Sequence, residues 1–365
     1  MPRPNNGLLD RIRPLWVPLA LVFVLNGCST ATYYGQLAKG QMALLAAREP
    51  VDRVIANPGT PERVRNQLAL SQVARTFASE HLALPDNRSY RVYADLGRPY
   101  VIWNLFATDE FSLEPLTHCF PIAGCVAYRG FYDQDRARGA AAILQLQGKD
   151  TYVAGIEAYS TLGWFDDPLL SSMLRWSDDR LCALIFHELA HQRFYLPGDT
   201  AFNESYATFV EQEGLRQWQV HRGLPATGSD SHRQRDLFTR LVLDLRERLN
   251  ELYRIPLDAD TLRARKASAF DDFRSRYRAL RDREWPGDKR FDAWVDGPLN
   301  NARLLPFGLY DQWVPAFAQL FEAQGRDWKA FFEAVEALGK MSDVERRTAL
   351  KSLQTSAKSR ATENN

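Results

Sequence analysis

The stretch His187-Glu188-Leu189-Ala190-His191 decides how the fold of this sequence is predicted. Two histidines four residues apart lie one turn apart on the same face of a helix, so both imidazoles can reach one metal ion. The glutamate between them points to a neighbouring side, where it can act on water at the metal rather than bind the metal. His187 and His191 are therefore candidate zinc ligands, and Glu188 is the candidate general base.

The residues around this motif favour a helix. Asp178 or Asp179 can cap its start, and residues 181–190 contain neither proline nor glycine. The pair Pro197-Gly198 follows and is typical of a helix end. We therefore predict that both histidines lie on one face of a helix that ends before residue 197.

A third metal ligand is expected from a second helix that follows this turn. Asn203 can cap that helix, which leaves Glu204 in its first turn. The small Ala207 would let the second helix pack closely against the first. Glu204 would then complete a site of two histidines and one glutamate with an open position for water. The alternative is a solvated glutamate stabilised by the helix dipole.

Other side chains of the second helix leave alternatives open. Glu211 and Glu213 are rival ligands, although they lie deeper in the helix. Glu211 or Thr208 could instead orient His187 or His191 by a hydrogen bond. The metzincin pattern is excluded, because it needs glycine at 194 and histidine at 197, where this sequence has phenylalanine and proline.

The N-terminus has the pattern of a bacterial lipoprotein signal. Three arginines at positions 3, 11 and 13 precede the apolar run Leu15–Leu25, which is too short to span a bilayer. The sequence Leu25-Asn26-Gly27-Cys28 resembles the lipobox, in which the cysteine becomes the lipidated N-terminus. The alternative is an ordinary secretory signal. The resemblance implies a lipid anchor at Cys28 and an outer-membrane protein that faces the periplasm.

The other cysteines are consistent with that compartment. Cys119 and Cys125 flank a short segment with proline and glycine, and in the oxidising periplasm a disulfide between them is the favoured interpretation. Two buried free thiols are the alternative. His118 is the only imidazole near them, which argues against a second metal site. Cys182 shares a helix face with apolar residues and is expected to be a buried thiol.

The rest of the sequence predicts one large α+β domain. Short segments rich in β-branched and aromatic residues predict strands at 90–94, 100–106 and 152–156. Helices are predicted over residues 31–82 and 178–220. Two amphipathic helices are marked by apolar repeats at 237–249 and 270–280, and a capping box opens a last helix at Ser342.

The net charge of +1 implies no nucleic-acid partner. We expect a signal peptide at 1–27, one domain at 28–354 and a disordered tail at 355–365.

The metal motif also carries a family resemblance. His187-Glu188-x-x-His191 with Asn203-Glu204-x-x-Ala207 resembles a gluzincin, and with the lipobox and the 119–128 region the chain resembles a bacterial lipoprotein family labelled putative aminopeptidases. The resemblance implies a zincin-like core with a small sheet and additional helices, a Zn²⁺ held by His187, His191 and Glu204, and a peptide substrate in the cell envelope.

Two departures from the large gluzincin aminopeptidases leave the reaction open. The interval from His191 to Glu204 is shorter, and no G-x-M-E-N sequence for binding a substrate's amino terminus is present. A zinc endopeptidase and a non-catalytic zinc lipoprotein that binds a partner are the alternatives to an aminopeptidase.

Assistance to the reaction is expected from outside the two helices. Tyr310 is the candidate to stabilise the oxyanion, with Arg303 behind it, although either residue could be structural. Residues 159–165 could form an edge strand that binds extended peptide, or an ordinary core strand and loop. Asp166-Asp167-Pro168 is interpreted as a turn rather than a calcium site.

Overall fold

The computed structural model describes residues 32–120, 124–158, 160–161, 166–225, 229–307 and 312–363. The chain divides into two units, Met1–Ala47 and Arg48–Asn365. The first unit is described only from residue 32, and residues 32–46 form helix α1. Cys28 and the predicted signal peptide lie outside the described residues. None of the described helices combines the length and apolarity needed to cross a bilayer.

The second unit is a mixture of helices and short strands, which confirms the α+β prediction. Its helices are α2 Val51–Ala56, α3 Glu62–His81, α4 Gln134–Leu146, α5 Asp178–Arg193, α6 Thr200–His221, α7 Ser229–Tyr253, α8 Ala259–Glu284, α9 Asp292–Asp296, α10 Asn301–Leu304, α11 Val314–Ala323, α12 Trp328–Gly339 and α13 Asp343–Glu363. Its strands are β1 Arg48–Pro50, β2 Val92–Ala94, β3 Ile102–Asp109, β4 His118–Phe120, β5 Gly124–Val126, β6 Arg129–Phe131, β7 Lys149–Ile156 and β8 Leu169–Leu170.

The described strands form small sheets. One sheet has the order β6-β3-β7, another β1-β2-β8, and β4 pairs with β5. The longest pairing is antiparallel and runs from Ile102 opposite Ile156 to Asp109 opposite Lys149. Strand β3 is buried along most of its length because the side chains on both of its faces pack against other elements. The predicted strands at 90–94, 100–106 and 152–156 correspond to β2, β3 and β7.

Tyr90 departs from its predicted strand. Its φ of 63° lies in the left-handed region, which bulky residues rarely adopt. Two hydrogen bonds hold this conformation: the Tyr90 N–H donates to the carbonyl of Asp167 at 2.7 Å, and the Tyr90 carbonyl accepts from the Gln72 amide at 2.9 Å. The ring is 2% exposed. Strand β2 begins only at Val92 because these bonds turn the backbone before it.

The two helices that follow one another at the motif pack closely. Ala207 is fully buried on α6. At Gly214, also on α6, an added Cβ would lie 2.9 Å from the Leu82 side chain and 3.2 Å from the Phe186 ring. Small residues at these positions let α6 approach α5 and α3. This close packing brings side chains of α6 within reach of the two histidines of α5.

The caps of these helices differ from the predicted ones. Ser177, rather than Asp178 or Asp179, caps α5, and its side chain accepts from the Arg180 N–H. Helix α6 is capped by Asp199, whose carboxylate accepts from the Phe202 N–H at 3.0 Å. The prediction that Asn203 caps α6 is therefore wrong, and Glu204 lies past the first turn.

Asn203 has another structural role. It is buried, and its side-chain amide donates to the Leu196 carbonyl at 2.7 Å and accepts from the Leu196 N–H at 2.8 Å. It thus ties α6 to the loop that connects it to α5. An asparagine can cap a helix or bind a loop backbone, and here Asp199 is the residue that accepts from a free N–H group of the first turn, that of Phe202.

The later helices form a separate part of the core. The predicted amphipathic helices are α7 and α8, and their apolar faces share one cluster whose buried members include Phe238, Leu245, Phe273 and Tyr277. The predicted capping box is confirmed, because the Ser342 N–H donates to Glu345 at 3.0 Å and the Glu345 N–H donates back to the Ser342 hydroxyl. Helix α13 continues to Glu363 through residues without proline or glycine, past residue 355 where a disordered tail is expected.

Candidate metal centre

The close packing of α5 and α6 brings three potential metal ligands together. His187 and His191 lie one turn apart on α5, and their Nε2 atoms are 3.2 Å from each other. The Glu204 Oε2 atom, on α6, lies 3.4 Å from the His187 Nε2 and 3.6 Å from the His191 Nε2. Within the described ranges this is the one group of three such residues that could hold a metal ion.

These distances fit a tetrahedral ion. Zinc bonds of about 2.0–2.1 Å separate neighbouring tetrahedral ligand atoms by about 3.3–3.4 Å. The three observed separations, 3.2, 3.4 and 3.6 Å, lie around that value. Two imidazoles and one carboxylate are also a donor set of catalytic zinc sites, in which the fourth position takes water. Both the geometry and the donor chemistry therefore fit zinc.

Glu211 orients the first histidine. Its Oε2 atom lies 3.0 Å from the His187 Nδ1, and both side chains are largely buried. An ionised carboxylate can only accept, so Nδ1 must carry the proton and Nε2 is left with a lone pair for a metal. In the metal-free chain burial lowers the pKa of His187, but hydrogen bonds to Glu204 and Glu211 outweigh it and raise that pKa well above its usual range.

The second histidine is held by packing. His191 is 6% exposed, and among the described residues its Nδ1 atom has no hydrogen-bond partner. The Tyr206 hydroxyl donates to the carbonyl of Ala190 at 3.2 Å and so braces the helix beside this histidine. Because both Nε2 atoms converge on one carboxylate, the cluster is a place where a cation would satisfy three buried groups together.

Glu204 stays ionised beside the two histidines. Burial raises the pKa of Glu204, but hydrogen bonds from His187 and His191 outweigh burial and lower it to about 2. The rival glutamates are engaged elsewhere: Glu211 binds His187, and Glu213 forms an ion pair with Arg216 at 2.6 Å. Of the three glutamates considered on α6, the structure therefore brings Glu204 to the two Nε2 atoms.

Glu188 is close to this cluster without being part of it. Burial raises the pKa of Glu188, His187 and His191 lower it, and the negative charges of Glu204 and Asp167 raise it again. The net effect is a raised pKa. A carboxylate whose pKa is shifted towards neutrality is better suited to take up and return a proton. The position of Glu188 is therefore consistent with the predicted general base.

Asp167 is a buried residue that the sequence did not identify as part of the site. It is 1% exposed, and its carboxylate accepts from the Ser160 hydroxyl at 2.9 Å, from the Thr161 N–H at 3.0 Å and from the Thr161 hydroxyl at 2.7 Å. The Gln192 amide, on α5, donates to the same carboxylate at 3.4 Å. Asp167 thus ties residues 160–161 to the motif helix, a role for which a single sequence offers no signal.

Tyr90 also belongs to this surrounding. Burial raises the pKa of its hydroxyl well above the usual range, and the charges of Glu188 and Asp167 raise it further. The strained backbone of Tyr90 is thus found at the side of the candidate base. Strained residues often occur at functional sites. The local sequence around Tyr90 predicts a strand and gives no sign of this backbone conformation.

Two predictions about the reaction concern residues that the structure does not describe. Tyr310 lies outside the described residues, and so do residue 159 and residues 162–165 of the predicted edge strand. Arg303 is described: its guanidinium lies 5.2 Å from the ring centroids of both Tyr152 and Trp294 and donates to the carbonyl of Pro298 at 3.1 Å. These contacts make Arg303 a packing residue.

The cysteines have the predicted arrangement in the described chain. Cys119 and Cys125, for which we favour a disulfide, are joined at an S–S distance of 2.01 Å and close the β4–β5 hairpin. Cys182 is a buried free thiol. Burial raises its pKa to about 12, with a further contribution from Asp179 and Asp178.

The fold and the site define a mixed α+β protein with a candidate metal centre of two histidines and one glutamate. The chain belongs to the family described as "Putative aminopeptidase", whose family model matches residues 32–350. That description indicates a peptidase that acts on peptide substrates, and it names no metal. No curated protein and no solved structure matches the chain.

Proposed function

We propose that the protein is a zinc-dependent peptidase of the bacterial cell envelope, and specifically an aminopeptidase. The observation that carries the proposal is the convergence of His187, His191 and Glu204 at distances that fit one zinc ion, with Glu188 beside them. The family description supplies the peptidase class. In this proposal α5 and α6, with the small sheets, form a zincin-like core.

Each residue has a defined part in the proposed reaction. His187, His191 and Glu204 hold the zinc ion, and Glu211 fixes the tautomer of His187. When bound there, zinc supplies a Lewis acid that polarises a carbonyl and lowers the pKa of water. Glu188 accepts the proton of the attacking water and then donates it to the leaving amine. Tyr310 remains the proposed oxyanion donor.

The presence of Glu188 argues for catalysis over a purely structural metal site. A structural zinc site has four protein ligands and needs no base. Here the described residues supply three ligand atoms, and Glu188, a partly buried carboxylate with a raised pKa, lies on the same helix between the two histidines. This combination supports a catalytic site.

The proposed location rests on the N-terminal sequence. The lipobox-like Leu25–Cys28 stretch implies processing before Cys28 and acylation of that cysteine. The Cys119–Cys125 disulfide is consistent with an oxidising compartment. We therefore propose a lipid anchor at Cys28, an outer-membrane protein facing the periplasm, and the domain boundaries 28–354.

Digestion of a peptide library by the purified full-length protein tests the proposed activity. We expect cleavage that stops when a chelator removes the metal and returns when zinc is added. Successive loss of N-terminal residues would identify an aminopeptidase, whereas internal cuts would identify an endopeptidase. The absence of any chelator-sensitive cleavage would overturn the proposal and leave the non-catalytic lipoprotein as the remaining interpretation.

A further inference from the structure

A cavity of about 610 Å³ lies against His187, one of the three candidate metal ligands. Leu184 and His187 of α5 and Glu211 of α6 form one wall, so the cavity reaches the side of the first histidine. Volumes of about 300–1,000 Å³ are typical of sites that bind small molecules or substrate side chains. Its contact with His187 makes the cavity a candidate subsite for a part of the substrate that extends away from the metal.

Three arginines line this cavity, and we call it the arginine pocket after them. Arg180 lies on α5, Arg235 on α7, and Arg290 between α8 and α9. Two carboxylates also line it, those of Glu211 and Asp236, and Glu211 is engaged by His187. The wall therefore carries more guanidinium groups than carboxylates, and His187 of the candidate metal centre lines the same cavity.

Two of the guanidinium groups retain donors for a ligand. Arg180 is 53% exposed, stacks 4.1 Å over the Trp176 ring and uses one nitrogen to bind Glu157 at 3.2 Å. Arg235 is exposed and has no ion-pair partner among the described residues. Arg290 pairs with Asp288 at 2.6 Å and is the least available of the three.

Arg180 and Arg235 are also electrostatically close. Burial lowers the pKa of Arg180 and Arg235 lowers it further, whereas Glu157 and Glu211 raise it. Two guanidinium groups that line one cavity and repel each other are stabilised by an anion between them. Arginine binds carboxylates through two parallel hydrogen bonds, which gives both strength and orientation.

The remaining wall is aromatic. Phe238, Phe291, Trp294 and Phe307 line it, and their rings contact one another within the cluster of α7 and α8. This wall suits the apolar part of a peptide side chain or backbone. An amphipathic cavity of this kind would hold the hydrocarbon of a residue against the rings and its charged end against the arginines.

We propose that the arginine pocket binds a carboxylate of the substrate, with Arg180 and Arg235 as its ligands. This inference rests on the proposed peptidase function. The carboxylate can come from an aspartate or glutamate side chain, or from the free C-terminus of a short peptide. Substrates that carry such a group are therefore cleaved in preference to their uncharged counterparts.

Substrate profiling tests the pocket. Wild-type protein is given matched peptides that carry glutamate or glutamine at each position, each with a free or an amidated C-terminus. We expect kcat/KM to be about tenfold higher for the form with the recognised carboxylate, since hydrogen bonds to a charged group are stronger than those to a neutral one. The comparison of glutamate with glutamine reports recognition of a side-chain carboxylate. The comparison of the free with the amidated C-terminus reports recognition of the C-terminal carboxylate. Equal cleavage of all forms would overturn the proposal while leaving the peptidase function intact.

The variant Arg235→Gln tests whether the preference for the carboxylate form arises from the arginine pocket. It should reduce kcat/KM for the carboxylate form about tenfold more than for the uncharged form, since it removes one charge-assisted contact. Arg240→Gln is the matched control, because Arg240 is an exposed arginine of the same helix that does not line the cavity. A variant that slowed both substrate forms equally would contradict the proposal.

A binding measurement separates this proposal from the proposed activity. The capped amino acids N-acetyl-glutamate amide, N-acetyl-glutamine and N-acetyl-glutamine amide carry a side-chain, a C-terminal and no carboxylate, respectively. We expect one of the two charged probes to bind the full-length protein about tenfold more tightly than the neutral one, and Arg235→Gln to remove the difference. This result would support the pocket even if no peptide were cleaved. Equal binding of all three would overturn it.

Discussion

At the scale of single residues, three glutamates of the candidate site have different proposed roles. Glu204 faces the two Nε2 atoms, Glu211 holds the far nitrogen of His187, and Glu188 lies beside the cluster without joining it. All are carboxylates on two packed helices, and their different neighbours give them different chemistry. The surroundings of each carboxylate, more than its residue type, define its proposed role.

Glu204→Ala should lower the zinc content of the purified protein. The substitution removes one of three ligand atoms from the proposed site. Metal analysis by mass spectrometry measures the effect, and Glu213→Ala is the matched control, since Glu213 lies on the same helix and binds Arg216. Equal zinc content in Glu204→Ala and the control would remove Glu204 from the coordination shell.

Glu211→Gln should weaken zinc binding without abolishing it. The change removes the carboxylate that fixes the tautomer of His187, and loss of such a partner reduces metal affinity by about 10–100-fold. Competition with a chelator of known affinity measures the change. An unaltered affinity would show that packing alone orients His187.

Cys182 should be unreactive in the folded protein. Its thiol is buried and its pKa is raised to about 12, so the thiolate fraction grows with pH only as the pH approaches that value. Alkylation at pH 8 followed by mass spectrometry should leave Cys182 unmodified until denaturant is added. Rapid labelling of the native protein would contradict the buried position.

At the scale of elements, the sequence predicted that the helices exist more accurately than it predicted the residues at which they begin. The 3.6-residue pattern of apolar side chains, which reports burial, predicted α7 and α8 correctly, and the absence of proline and glycine over residues 181–190 predicted α5. The start of α6 was misplaced because Asp199 and Asn203 are both good capping residues, and only the fold shows that Asn203 binds the Leu196 backbone instead. Tyr90 was placed in a strand because a single sequence does not report its long-range bond to Asp167.

Asp199→Ala should destabilise the start of α6. Asp199 caps the helix and also binds Arg346, which is nearly buried, at 3.0 Å. Loss of a cap costs about 0.5–2 kcal/mol, and the loss of one of the two acidic partners of Arg346, which keeps Asp343, adds to that cost. Chemical denaturation measures the free energy of unfolding. Asp327→Ala, which removes the cap of α12, is the control, and a smaller loss in Asp199→Ala than in this control would contradict the added contribution of Arg346.

At the scale of the whole molecule, the family and the site point to the same class of chemistry. The family match covers residues 32–350, and the described chain contains one cluster suited to a metal ion. The sequence alone predicted the α+β class and each member of that cluster, since helical spacing places His187 and His191 together. It could not predict Asp167, Tyr90 or the arginine pocket, because contacts distant in sequence create those features.

In the proposed reaction a zinc ion at this site works with Glu188 as the base. The most direct test measures zinc content and peptide hydrolysis on the same samples of wild-type protein and of Glu188→Gln. The account predicts equal zinc content in the two proteins and loss of hydrolysis in the variant, because glutamine keeps the shape of the side chain but cannot accept the proton. Undiminished hydrolysis by Glu188→Gln with zinc bound would contradict the account.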